Sequence, residues 1–417
     1  MSAPVTVVGI GADGLASVGA CGRERIERAD VLLGGERHLA LVPPRAGQER
    51  HSWPRPLTTL PRVVDDARAR GRVVVLASGD PLVSGVGTTL VRLLGSDAVE
   101  VLPAVSSVSL ARARMGWSAE ESEVVTLVGR DVAGLRRHLA RGRRLLVLSA
   151  DERTPTAVAR LLVDAGHAPT RMVVLGDLGA PEESRMDTAA VDLLCLDPEE
   201  RRALPRLHVL ALEVAGADAD HTSWAPGLPD HAFESDGQLS RRDVRAGALA
   251  RLAPRPGHLL WDVGAGAGSV GIEWLRAHPT TEAIAIESDP DRAARIARNA
   301  RDLGVPRLQV VEGRAPAALA GLPEPDAVFI GGGASEDGVL AACRAALRDG
   351  GRLVVHGVTH QTEALLLEAH ERLGGELTRI SVEQAAPIGG RFTGWTPARA
   401  VVSWSWTARA ACDGDAR

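Results

Sequence analysis

Residues 258–276 read HLLWDVGAGAGSVGIEWLR, and this stretch leaves a chain few choices. Leu259, Leu260, Trp261 and Val263 bracket Asp262 in an apolar run of the length of a buried strand. Gly264-Ala265-Gly266-Ala267-Gly268 follows, and Val270, Ile272, Trp274 and Leu275 then supply the apolar positions of a helix. A strand, a glycine turn and a helix start together make a cradle of nucleotide size. Glycine lets the backbone approach a ligand and adopt positive φ. The first turn of the helix offers unpaired N–H groups to an anionic or polar ligand.

Two cofactor classes use such a loop. The dinucleotide pattern G-x-G-x-x-G fails in the register that starts at Gly264, because its sixth position is Ser269. It fits only from Gly266 through Gly268 and Gly271, late after the strand. Ala283-Ile284-Ala285-Ile286-Glu287 is a second apolar run ending in an acid that can accept both ribose hydroxyls of an adenosine, which serves either class. The form D-x-G-x-G-x-G resembles the first motif of the S-adenosylmethionine (SAM) methyltransferases with a seven-stranded Rossmann-like fold.

At 417 residues the chain is too long for one ordinary core and predicts two or three domains. A net charge of −5 gives no basic field, so nucleic acid is not an expected partner. No apolar stretch approaches the roughly 18 residues of a membrane span. The opening MSAPVTVVGIGADG has no basic leader and reads as a first strand. Cys21, Cys195, Cys343 and Cys412 are widely spaced, which predicts no disulfide framework, no metal site and a cytoplasmic protein. His221 and His231, ten apart, have no further ligand pattern. The 48 basic side chains are all Arg, so any cationic clamp on a substrate is a guanidinium.

In the first half, strands are predicted over 4–10, 73–77 and 100–102, each followed by a punctuated loop. These loops are Gly9-Ile10-Gly11-Ala12-Asp13-Gly14, Ser78-Gly79-Asp80-Pro81-Leu82-Val83-Ser84-Gly85, and Pro103-Ala104-Val105-Ser106-Ser107. Ser106 or Ser107 can cap a helix and donate to a ligand. Residues 43–61 hold several prolines and read as a connector. An αβ passage, a short helix near 23–29 and then Val31-Leu32-Leu33-Gly34-Gly35, follows the first loop, and further strands are expected over 124–128, 145–148, 172–175 and 207–214.

GIGADG, ASGDPLVSG and PAVSSVSLARARMGW, in that order, resemble the tetrapyrrole methylases, the family of precorrin and uroporphyrinogen methyltransferases. The resemblance implies two small α/β subdomains with SAM in the cleft between them. Matched residue by residue, it makes Gly9, Gly11, Asp80, Ser84, Gly85 and Ser106 candidate SAM contacts.

Residues 216–237 are rich in Asp, Gly and Pro and read as a linker between a domain over 1–215 and one over 238–410. Ser240, three residues before Asp243, predicts an N-cap close to a capping box. Strands are expected over 308–311, 326–330 and 353–356, and a last antiparallel pair near 376–384 and 400–406. LSRRDVRAGALARLAPRPG, LWDVGAGAGSVGIEW, EGRAP and DAVFIGGG resemble the decarboxylating precorrin methyltransferases. That match makes Ser240, Gly264, Ala265, Gly266, Ala267, Gly268, Glu287 and Ala315 SAM contacts.

A fusion of the two families implies two SAM sites, methylation of precorrin-6Y at C5 by the first domain and at C15 by the second, and loss of the ring-C acetate as CO2. The product would be precorrin-8X, on the way to cobalamin. Arg241, Arg242, Arg245, Arg314 and Arg391 are candidates to pair with a polycarboxylate tetrapyrrole. His356 and His360 are the acid–base candidates, His356 and Arg314 are the catalytic candidates, and no catalytic base is assigned. Relatives of the second domain predict a homo-oligomer, with a tetramer as one form. The alternatives are a dinucleotide-dependent oxidoreductase, or a methyltransferase in which one half only binds the tetrapyrrole.

Overall fold

A computed structural model describes residues 4–54, 59–217 and 222–408; His221, Cys412 and the last residues of the second expected domain lie outside them. The chain divides into two compact units, Met1–Val132 with Ala140–Ala217, and Ala133–Leu139 with Asp218–Arg417. No helix of the described residues is long and apolar enough to cross a membrane.

The first unit holds two five-stranded sheets. In the first, β1 (Val5–Ile10), β2 (Val31–Gly34), β3 (Glu49–Ser52), β4 (Val73–Ser78) and β5 (Val99–Leu102) lie in the order β3-β2-β4-β1-β5, all parallel. A parallel sheet is covered on both faces, which explains the continuous apolar runs of β1 and β4. Val7, Val75 and Leu33 enter one core cluster and Val8, Leu76 and Leu32 the other. The second sheet has β6 (Ser122–Thr126), β7 (Arg144–Leu148), β8 (Arg171–Gly176), β9 (Ser184–Ala189) and β10 (His208–Glu213) in the order β6-β7-β10-β8-β9. Here only β6 and β7 pair parallel. β3 and β9 have no counterpart among the expected strands. Both are edge strands of largely polar sequence, ERHS and SRMDTA, with no apolar alternation to betray them.

The second unit contains β11 (Leu259–Val263), β12 (Glu282–Glu287), β13 (Gln309–Glu312), β14 (Ala327–Ile330), β15 (Arg352–Gly357) and β16 (Glu376–Ile380). It ends with β17 (Glu383–Gly389), β18 (Phe392–Pro397) and β19 (Val401–Thr407). Seven of these form one sheet in the order β13-β12-β11-β14-β15-β19-β16, with β19 antiparallel to both neighbours. The two α/β subdomains followed by a seven-stranded Rossmann-like sheet are the expected architecture. β17 and β18 form a separate hairpin that the sequence did not announce.

Two local expectations give way. The helix Arg242–Leu252 starts at N-cap Arg241 with no side-chain cap, so Ser240 forms no capping box. Its backbone carbonyl instead accepts from Arg245. The second part of the expected linker is packed: Leu228 and Phe233 are buried and join the core of the second unit.

Candidate functional site

Each unit carries a candidate site at the carboxyl edge of its parallel strands, where ligands of open α/β sheets collect. In the second unit the backbone leaves β11 through Gly264, Gly266 and Gly268, with φ of 66°, 60° and 74°. At Gly264 a Cβ would stand 2.5 Å from the carbonyl oxygen of Gly332, so the turn after β11 and the exit of β14 touch through a missing side chain. Glu287, at the tip of β12 and nearly buried, completes the loop. Its Oε2 accepts from the Gly266 amide (2.8 Å) and its Oε1 from that of Asp289 (3.0 Å). A carboxylate has about four acceptor positions, so two stay open to ligand hydroxyls.

A cavity of about 860 Å³ opens beside this loop. Ser240, Gly264, Ala265, Gly266, Glu287 and Ala315 line it. Ala267 and Gly268 do not. Ala267 is buried, with its carbonyl bound by Asn299 Nδ2 at 2.9 Å, and Gly268 backs onto Ile296 as the N-cap of the helix Ser269–Ala277. Asp262 sits behind the loop, accepting from the Gly271 amide at 2.8 Å, and its other oxygen has no partner. Burial pushes its pKa up to about 7.

The cationic candidates separate. Arg241 and Arg314 line the cavity, with Asp230 and Glu336 as ion-pair partners at 3.4 and 3.6 Å. Arg242 and Arg391 do not line it; Arg391 rests 5.8 Å from the centre of the Phe392 ring. Arg245 is a correction. Its side chain is fully buried, paired with Glu273 (2.6 Å) and Asp230 (3.3 Å), bonded to the carbonyls of Leu228 and Ser240, and stacked on Phe233. All three of its nitrogens are bonded inside the fold and none of its side chain reaches the surface, so Arg245 cannot meet a substrate. The sequence carried the signal: Arg245 stands at i, i+3, i+4 and i+7 from Ala248, Leu249 and Leu252, on the apolar stripe of its helix. Arg399 went unnoticed because it sits in a featureless loop between β18 and β19. It lines the cavity.

His356 lines the cavity at the end of β15, with its ring edge-on to Phe329 and Nε2 without a hydrogen-bond partner. Burial, then the charge of Arg251, lowers its pKa to about 4. It is therefore neutral at physiological pH and a feeble proton acceptor. His360 is exposed at the start of the helix His360–Leu373.

In the first unit the loops after β4, β1 and β5 meet on neighbouring strands. A Cβ at Gly9 would lie 1.9 Å from the Gly79 carbonyl oxygen and 2.5 Å from the Ala104 nitrogen, so all three loops close on that position. The Gly11 amide donates to Ser17 Oγ at 2.7 Å. Asp80 Oδ1 accepts from the Leu82 amide at 2.9 Å and folds the loop back on itself. Ser84 takes φ 53°, and Gly85 lies against the Pro81 carbonyl. Ser106 caps the helix Ser107–Met115, accepting from the Ser109 amide at 3.1 Å.

Residues 4–193 match the family model of tetrapyrrole (corrin/porphyrin) methylases, and residues 231–408 that of a precorrin methyltransferase domain. A precorrin-6Y C(5,15)-methyltransferase (decarboxylating) of a Sinorhizobium species is 50% identical over 406 residues, 97% of this chain and 96% of that protein. A cobalt-precorrin-7 C(5)-methyltransferase of Salmonella typhimurium is 34% identical over 47% of this chain and 94% of its own length. A probable cobalt-precorrin-6B C(15)-methyltransferase (decarboxylating) of Pyrobaculum calidifontis is 35% identical over 40% of this chain and 89% of its own length. Matched at half of its residues across almost its whole length, the chain belongs to the precorrin-6Y C(5,15)-methyltransferase (decarboxylating) family.

Proposed function

We propose that the chain uses SAM to methylate precorrin-6Y at C5 and C15 and removes the ring-C acetate as CO2, giving precorrin-8X in cobalamin biosynthesis. The first unit carries the C5 transfer, and the second the C15 transfer and the decarboxylation. The observation behind this reading is that one polypeptide has two separate glycine-lined sites, each in a unit that matches its own methyltransferase family.

SAM, when bound, supplies a methyl group on an electrophilic sulfonium. The residues present suit it: in the second unit the turn at Gly264 and Gly266 admits a ligand against the backbone, and Glu287 keeps acceptors open for ribose hydroxyls. In the first unit Gly9, Gly11, Asp80, Ser84, Gly85 and Ser106 frame the corresponding place. The protein's contribution to transfer is position and exclusion of water, which needs no protein nucleophile. Arg241, Arg314 and Arg399 offer guanidinium groups on the cavity wall to the carboxylates of the macrocycle. We assign the protein to the cytoplasm, in keeping with the free thiols of Cys21, Cys195 and Cys343. A homo-oligomer is in keeping with the hairpin of β17 and β18, which exposes Ile388, Phe392 and Trp395; sedimentation tests it.

Calorimetry with SAM on the whole protein is the test. Two sites are expected, one lost in Gly9→Ala and the other in Gly264→Ala. A single site weakened by both substitutions, or no methyl transfer to precorrin-6Y by mass spectrometry, would sink the proposal.

A further inference from the structure

Beside the three loops of the first unit, the end of β2 carries a cluster that cofactor binding leaves unused. Gly34 leads through Gly35 into the short helix Glu36–Ala40, which contains Arg37 and His38. Ser78 is the last residue of β4, the neighbouring strand, and directly precedes Gly79. Arg37 Nη2 donates to Ser78 Oγ at 3.1 Å and lies 2.9 Å from His38 Nε2, which is itself 2.9 Å from Ser78 Oγ. Ser78 is exposed, so the cluster reaches solvent along the same sheet edge as the loops.

Chemistry fixes the protonation. A guanidinium only donates and stays charged, so His38 Nε2 accepts and the ring proton sits on Nδ1, an assignment made from the partners. Burial, and then the charge of Arg37, push His38 down to about 4, leaving the imidazole neutral at physiological pH. The cluster therefore bears the single positive charge of Arg37. A nucleophilic Ser–His pair is excluded, because the lone pair that would take the Ser78 proton faces a guanidinium donor. Arg25, Arg72, Arg114 and Arg171 of this unit all have acid partners. Arg37 has none at ion-pairing distance among the described residues, and its Nε and Nη1 meet no acceptor there. Asp177 supports its charge only from farther off, against the effect of burial.

We propose that Arg37, steadied by His38 and Ser78, seats a carboxylate of the tetrapyrrole beside the cofactor loops of the first unit. The inference rests on the reading above that this unit methylates a polycarboxylate macrocycle. The N–H groups on Nε and Nη1 remain unfilled on a positive group, so a carboxylate can take a charge-assisted hydrogen bond from it. Two neutral partners hold the guanidinium in place beforehand, so little side-chain freedom is lost on binding. Leu82 and Val105, 51% and 60% exposed on the adjoining loops, present apolar surface suited to the face of a ring system.

Arg37 is a positioning residue, and the test separates substrate from cofactor. In full-length Arg37→Ala, the KM for precorrin-6Y in the C5 transfer should rise roughly 10- to 100-fold, the loss of a charge-assisted hydrogen bond, with kcat nearly unchanged. SAM affinity, read by calorimetry, should stay that of the parent protein. Arg37→Lys, which keeps the charge and loses the fork, should recover part of the KM. Should Arg37→Ala fail to fold, Arg37→Lys carries the same test: a raised KM at unchanged SAM affinity supports the seat, and a parental KM overturns it. An unchanged KM in Arg37→Ala, or a rise matched by lost SAM affinity, also overturns it. Failure of the unsubstituted protein to methylate C5 would refute the underlying reading instead, before any variant is made.

Discussion

At Gly264 two constraints act on one atom, a left-handed backbone and the carbonyl of Gly332 where a Cβ would go. Gly264→Ala should cost the second unit at least roughly 1–2 kcal/mol of conformational strain and lower its SAM affinity about tenfold or more, while calorimetry still finds the site of the first unit. Asp262, just behind, makes a pH prediction. Its folded pKa of about 7 lies above the ordinary carboxylate value, so the folded state holds more protons than the unfolded one between about pH 4 and 7. Stability from this group therefore falls as pH rises through that window. Asp262→Asn removes the effect. The melting temperature of the variant minus that of the parent should climb from pH 4 to 7 and then level off. Arg245 marks how far single residues can be read. Its place on an apolar stripe was visible, yet its partner Glu273 is 28 positions away, and only the fold brings them together. Arg37, His38 and Ser78 were less legible still, because their meeting depends on β2 lying next to β4.

Among the elements, the helix Ser269–Ala277 does more than follow the glycine turn. Glu273 on it accepts from the amides of Gly227 (2.6 Å) and Leu228 (3.0 Å) as well as from Arg245. One buried carboxylate thereby staples the incoming segment, the helix Arg242–Leu252 and the cofactor helix. Glu273→Ala should destabilise the second unit by about 3–5 kcal/mol, since it removes the nearer and more deeply buried carboxylate of a buried guanidinium; denaturant unfolding followed by Trp fluorescence measures it. Composition marked residues 216–237 as a linker, whereas Leu228 and Phe233 within it are core residues of the second unit. Strands buried on both faces announced themselves as apolar runs, and so the two sheet systems were readable. The polar edge strands β3 and β9 and the hairpin of β17 and β18 were not, because they carry no continuous apolar run.

For the molecule as a whole, two sites in separate units predict separable chemistry. Gly9→Ala should leave decarboxylation and one methyl transfer, and Gly264→Ala only the other transfer, with mass spectrometry of the products counting the groups. A different consequence comes from β19. It lies between β15 and β16, although 43 residues separate the end of β15 from its first residue and β16 itself is made earlier. During synthesis the second unit must wait with two strand edges bare until Val401–Thr407 has emerged, while the first unit can already have closed. Ribosome stalling or a protease cut before that strand would leave fully buried Trp404 missing from its slot and an open sheet edge for another chain to join. A chain cut before Val401 therefore lacks the strand that joins β15 to β16.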